Sequence, residues 1–100
     1  MRTKRLRIGS HLWKIQYVSK ITDDDGSSLN GITHDDDRTI KIDNTLPADM
    51  QGLILFHECL HAALFETGLD ELVTPQLEEA LVRGLSNTLW PLVRNNKFSK

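Results

Sequence analysis

From His11 to Val18 apolar and polar residues alternate, with Trp13, Ile15 and Tyr17 on one face and Lys14 and Gln16 on the other. Alternation of that kind predicts a half-buried strand. The run Asp23-Asp24-Asp25-Gly26-Ser27-Ser28 then reads as a turn or loop. Beyond it, a short extended stretch from Leu29 to His34 and a second from Arg38 to Asp43, where Ile40 and Ile42 share a face, flank Asp35-Asp36-Asp37. Two such runs around an acidic turn predict a β-hairpin. Neither Asp triplet has the alternating acidic loop and closing Glu of a calcium site, so both read as solvated turns.

The period changes after Asn44. Thr45-Leu46-Pro47-Ala48-Asp49 supplies a cap residue, a proline near the first turn and an early acid, and predicts a helix running to about Thr67 and ended by Gly68. Its middle is apolar almost all round, from Leu53-Ile54-Leu55-Phe56 to Ala62-Ala63-Leu64-Phe65, which predicts a central, buried helix. Thr74-Pro75 opens a second helix. In it Leu77, Leu81, Leu85, Leu89 and Leu92 are spaced for one face, and Pro91 is expected to kink or stop it. The fold class that follows is α+β, a small antiparallel sheet packed on two helices, with residues 1–100 forming a single domain.

Composition adds three constraints. The 100 residues are 39% hydrophobic and 26% charged, near the lower end of what folds unaided. Cys59 is the single cysteine, so no internal disulfide helps, and a bound metal is one other source of stability. The fourteen acids all lie between Asp23 and Glu79, whereas residues 1–20 hold six Lys and Arg. With a net charge of −2 and no recognition helix or interleaved aromatics, that basic start reads as a solvated arm or the outer face of a first strand, and it argues against a nucleic-acid partner. No run of apolar residues is long enough for a signal sequence or a membrane span, so a cytoplasmic protein is expected.

Within the first predicted helix stands His57-Glu58-Cys59-Leu60-His61, an H-E-x-x-H pattern. Residues four apart on a helix share a face with β-carbons roughly 5 to 6 Å apart, from which two imidazoles can converge on one ion. Glu58 is turned about 100° from His57, beside the ion and free to exchange a proton with water there. Two His and a Glu on a buried helix would be costly without partners, and together they point to a metal. Cys59 points about 200° from His57 and reads as a small core residue; Trp13 and Trp90 read as core or rim aromatics.

A zinc site of this kind takes a third protein ligand. Glu78 and Glu79, 17 and 18 residues beyond His61, are the candidates. The helical wheel places Glu78 nearer the middle of the leucine face and so favours it; the residue not used is a first-turn acid complementing the helix dipole.

The stretch Ile40-Lys41-Ile42-Asp43, the helix holding His57 to His61, Gly68-Leu69, the Glu78-Glu79 pair and the tail Leu92-Val93-Arg94-Asn95-Asn96 resemble small phage and prophage metallopeptidase-like proteins. These are similar in plan to the ImmA/IrrE metallopeptidases and to the gluzincins. The resemblance covers roughly residues 29 to 96 and is most specific at the two helices. It favours Glu79, followed by Val82 and Ser86, over Glu78, followed by Leu81 and Leu85. It implies a minimal zincin-like core in the cytoplasm of a bacterial host, with Zn²⁺ on His57, His61 and Glu79 and Glu58 as general base. A protein or peptide substrate, and a regulatory protein partner, are what such an enzyme would meet.

An extended substrate is expected to pair with an exposed strand edge near Ile40. The resemblance brings no motif for a group that would stabilise a tetrahedral intermediate, and Tyr17, His11 and His34 qualify by residue type alone. A non-catalytic, zinc-stabilised interaction domain is the other function class this sequence admits, and a basic-arm nucleic-acid binder is a third.

Overall fold

A computed structural model of the chain describes residues 2–97, with side chains from residue 3 onward. Met1, at the head of the basic start, lies outside the described residues. Four strands, β1 (Arg2–Ile8), β2 (His11–Val18), β3 (Gly31–His34) and β4 (Thr39–Asp43), precede two helices, α1 (Ala48–Thr67) and α2 (Pro75–Asn95), which are joined by a 3₁₀ turn at Leu69–Leu72. The basic start is therefore a strand. The architecture is α+β: sheet, then α1, then α2 as an outer layer.

The sheet is mixed, which corrects the expectation of an antiparallel one. Its order is β1-β2-β4-β3, and β2 and β4 run parallel. The hairpin of β3 and β4 forms as its alternation requires, but β4 inserts between β3 and β2 and pairs Ile40 with Ile15 and Ile42 with Tyr17. Burial explains the order. Ile15, Ile40, Ile42 and Trp13 are all fully buried, and setting the two most apolar strands side by side at the centre removes both from water. Ile40 thus lies on an interior strand, and the edge left free next to α1 is β3. The expected substrate edge near Ile40 does not exist.

Helix α1 begins at Ala48 with Pro47 at its N-cap, so Thr45 is not the cap. Thr45 instead donates from both its amide and its hydroxyl to the Asp43 carboxylate, at 2.8 and 2.6 Å, closing the strand-to-helix turn. The helix ends where the sequence places its end, at Gly68, whose left-handed φ of 77° lets its N–H reach the Phe65 carbonyl. The sheet covers one side of α1 and α2 another, leaving flanks open, so only Glu58 and Ala62 are buried, the rest of the helix is half-buried, and its ends at residues 48–50 and 67 are exposed.

Helix α2 contradicts its leucine pattern. Thr74 caps it, accepting from the Leu77 amide, and it runs through Pro91 to Asn95. The face it turns to α1 holds Val82 and Ser86, each 1% exposed, whereas Leu77, Leu81, Leu85 and Leu92 are 42 to 48% exposed. Among the described residues no helix is long and apolar enough to cross a membrane.

One side chain ties the layers together. Glu66, near the end of α1, accepts from Arg38 Nε at 2.6 Å and Trp13 Nε1 at 2.7 Å on one oxygen and meets His11 Nδ1 at 2.9 Å on the other. Its side chain is 8% exposed. The Trp13 ring also stands edge-on to Phe65, with centroids 6.2 Å apart. The Arg38 bond, helped by Trp13 and His11 against the cost of burial, lowers the Glu66 carboxyl from its ordinary 4.5 to about 2. A depressed pKa contributes stability that is fully present above pH 4.5 and is lost as pH falls through 2. Glu66→Gln is therefore expected to lower the thermal midpoint at neutral pH, with the gap to wild type closing between pH 4.5 and 2 in melts followed by circular dichroism.

Candidate metal centre

The i, i+4 spacing on α1 sets His57 and His61 side by side, their ring centroids 5.1 Å apart. Both rings are oriented through Nδ1. His61 Nδ1 lies 2.6 Å from Glu78 Oε2, and His57 Nδ1 lies 3.3 Å from Ser86 Oγ. The Ser86 hydroxyl donates to the Arg83 carbonyl at 3.1 Å, which leaves its lone pairs for an N–H from His57. The partners at Nδ1 suit the tautomer that carries its proton there, which leaves Nε2 its lone pair.

The two Nε2 atoms converge on one carboxylate. Glu79 Oε1 is 3.2 Å from His57 Nε2, and Glu79 Oε2 is 3.0 Å from His61 Nε2. Ligand atoms of His57, His61 and Glu79 all lie within 4.8 Å of one another. In the tautomer with Nδ1 protonated, two nitrogen lone pairs and a carboxylate are aimed at a common point, an arrangement a cation would satisfy. Two nitrogens and a carboxylate are a donor set suited to Zn²⁺. Residues from both helices are needed: α1 supplies the imidazoles and the Glu79-Val82-Ser86 face of α2 supplies the carboxylate and a small, hydroxyl-bearing neighbour for His57.

Glu78 and Glu79 meet the histidines at different atoms. Glu79 faces the two Nε2 atoms; Glu78 meets the far side of His61, at Nδ1. The wheel favoured Glu78 because it took the leucine row for the buried face, and the buried face is the other one.

Glu58, 8% exposed, accepts a 2.7 Å hydrogen bond from the Thr33 hydroxyl of β3. The strand can come that close because residue 31 is glycine: a Cβ there would stand 2.6 Å from Ile54 Cγ2 and 3.2 Å from Glu58 Cγ. Thr33, Asp35, Glu58, both histidines, Glu78 and Glu79 line one cavity of about 420 Å³, with Leu29 and Ile32 as apolar wall. Burial, and after it the charges of Asp70 and Glu78, raises the Asp35 carboxyl above its ordinary value, so this residue of the acidic turn belongs to the cavity.

Sequence reasoning missed Thr33, Asp35 and the roles of Glu78 and Ser86. The only signal for any of them was the i, i+7 relation of Glu79 and Ser86. Of the three residues considered as stabilisers of a tetrahedral intermediate, none lines the cavity. His11 pairs with Glu66, and Tyr17 faces a separate cavity with Cys59 and Trp90. His34 lies at the outer face of the sheet with Lys14 and Lys41. Burial raises the Cys59 thiol to about 11, in keeping with a packing role.

The division between the two glutamates has a measurable consequence. Glu79→Ala is expected to abolish stoichiometric zinc binding, whereas Glu78→Ala, which removes only the partner of His61, is expected to weaken it about 10- to 100-fold. Competition with a chromophoric chelator measures both, and equal losses would contradict the assignment. Comparisons of the chain with protein-family models, with curated proteins and with solved structures found no match.

Proposed function

We propose that this protein is a zinc-dependent peptidase, in which His57, His61 and Glu79 hold the metal and Glu58 is the general base. The observation that carries the reading is the convergence of two Nε2 atoms and a carboxylate in the same cavity as a buried glutamate that is not among them. A zinc ion bound there supplies Lewis-acid polarisation of the scissile carbonyl and acidifies the attacking water.

The chain's own residues do the rest. Glu58 takes a proton from the water as its oxygen attacks the carbonyl carbon, and returns it to the amide nitrogen as the C–N bond breaks. The Thr33 hydroxyl, donating to Glu58 Oε1, fixes the carboxylate on the cavity side. Glu78 and Ser86 hold the imidazoles in the tautomer that presents Nε2. An extended peptide has β3 to pair with, since that strand is an edge of the sheet and Ile32 and Thr33 line the cavity. The carboxylates of Asp35 and Glu78 make the entrance acidic. The cavity leaves room beside the three ligands, which favours a catalytic site over a closed structural one.

Glu58→Gln is expected to keep zinc and fold while losing 10²- to 10⁴-fold in hydrolysis, about what general-base assistance contributes. A peptide-library screen at equal zinc occupancy compares the two proteins. Cleavage that disappears in the variant supports the proposal, and equal cleavage in both overturns it. If neither protein cleaves while both hold zinc, the site belongs to a zinc-stabilised interaction domain.

A further inference from the structure

The cavity that holds the histidines changes character along β3. Its lining runs from Leu29 and Ile32, which are apolar, through Thr33, which donates to Glu58, to Asp35 in the turn that follows the strand. Asp35 stands two residues beyond Thr33, about 7 Å further along an extended chain. Asp35, Glu58, Glu78 and Glu79 place four carboxylates around this space, and no Lys or Arg is among the lining residues. Arg83, which meets Glu79 Oε1 at 3.7 Å, does not line it. Two of the four charges are offset when a zinc ion is bound, and the cavity stays negative.

The four carboxylates are not equally engaged. Glu58 accepts from Thr33, and Glu78 and Glu79 meet the imidazoles, whereas the Asp35 carboxylate has no hydrogen-bond or ion-pair partner among the described residues. Burial and the charges of Asp70, Glu78 and Asp36 disfavour its ionised form, against the opposing effect of His61. A cation brought beside it relieves that cost.

We infer that Asp35 is a specificity residue, receiving a Lys or Arg side chain of the substrate within two residues of the scissile bond. The inference rests on the peptidase reading, in which the scissile carbonyl lies beside Glu58. A peptide extended along β3 advances about 3.3 Å per residue, so a side chain one or two positions from that bond comes level with Asp35. An ammonium or guanidinium there gains a charge-assisted hydrogen bond from a carboxylate that otherwise has none, and an acidic side chain is repelled.

Peptide binding to the zinc-loaded Glu58→Gln protein, which on the peptidase reading is slow to cleave, tests the inference apart from catalysis. The probes are labelled, end-blocked hexapeptides of Ala and Leu that carry one Lys, Met or Glu at each position in turn. By fluorescence anisotropy, the Lys peptide is expected to bind about tenfold more tightly than the Met peptide at one position, and the Glu peptide more weakly than either. Adding Asp35→Asn, at equal zinc occupancy, is expected to remove the Lys advantage. Adding Asp35→Lys instead is expected to move the preference to Glu, a reversal that a merely structural effect of the substitution does not produce. Absence of binding by every peptide, binding without a Lys advantage, or an advantage that survives Asp35→Asn overturns the inference, and the last two leave the peptidase reading standing. Conversely, Lys-selective binding that depends on Asp35, with no cleavage of the same peptides by wild type, upholds the cation subsite and counts against the peptidase.

Discussion

Two imidazoles four residues apart on α1 cannot be packed against hydrocarbon, because each brings a donor and an acceptor that must be met. The rest of the helical layer is arranged to meet them. Glu78, Glu79 and Ser86 all come from α2 and all touch His57 or His61. That requirement turns α2 so that Glu79, Val82 and Ser86 face inward, at the expense of four leucines that remain exposed. A purely hydrophobic packing would have rotated the helix the other way. The polar contacts, together with buried Val82 and the Phe56–Trp90 ring pair 5.6 Å apart, accompany this orientation of the 21-residue helix.

Helix α1 binds the sheet through polar contacts at two points. At its middle, Thr33 reaches Glu58 across an approach that only glycine at position 31 permits. Near its end, Glu66 collects Arg38, Trp13 and His11. Between these points the contact is apolar, with Ala62 and the partly buried Ile54, Leu55 and Phe65 against Trp13, Ile15, Ile40 and Ile42. The small Ala62 allows the helix to lie close, and the two polar contacts fix its position along the sheet. Glu58 is held by a strand and the imidazoles by a helix, so the cavity between them keeps its shape only while all three layers are assembled.

Charge is distributed to match. Acids of the β3–β4 turn, the 3₁₀ turn and the start of α2 gather around the histidines, and burial, followed by the charges of Asp70 and Glu78, raises the Asp35 carboxyl. Across the molecule, Arg38 and two neighbouring donors hold Glu66 ionised. The two carboxylates are perturbed in opposite senses because Asp35 is desolvated beside other acids whereas Glu66 is met by donors.

Local pattern was enough to read the elements: the alternation in β2, the hairpin of β3 and β4, the Gly68 stop and the Thr74-Pro75 start each depend on neighbours in the chain, and so does the placing of His57 and His61 on one face with Glu58 beside it. Strand order was not legible, because a two-residue period says which face is buried and nothing about which strand lies next; the pairing of Ile15 with Ile40 came from burying both. Nor was the buried face of α2, since a leucine row signals apolar surface but not what covers it. Resemblance pointed to Glu79 where the wheel pointed to Glu78, and the packing of α2 on α1 set the first toward Nε2 of both histidines and the second toward Nδ1 of His61. Thr33 and Asp35 joined the cavity through contacts with partners 25 or more residues away. Sequence by itself determined which groups α1 would present; tertiary structure decided which groups would answer them, because hydrogen-bond partners are chosen by distance in space and the sequence states only distance along the chain.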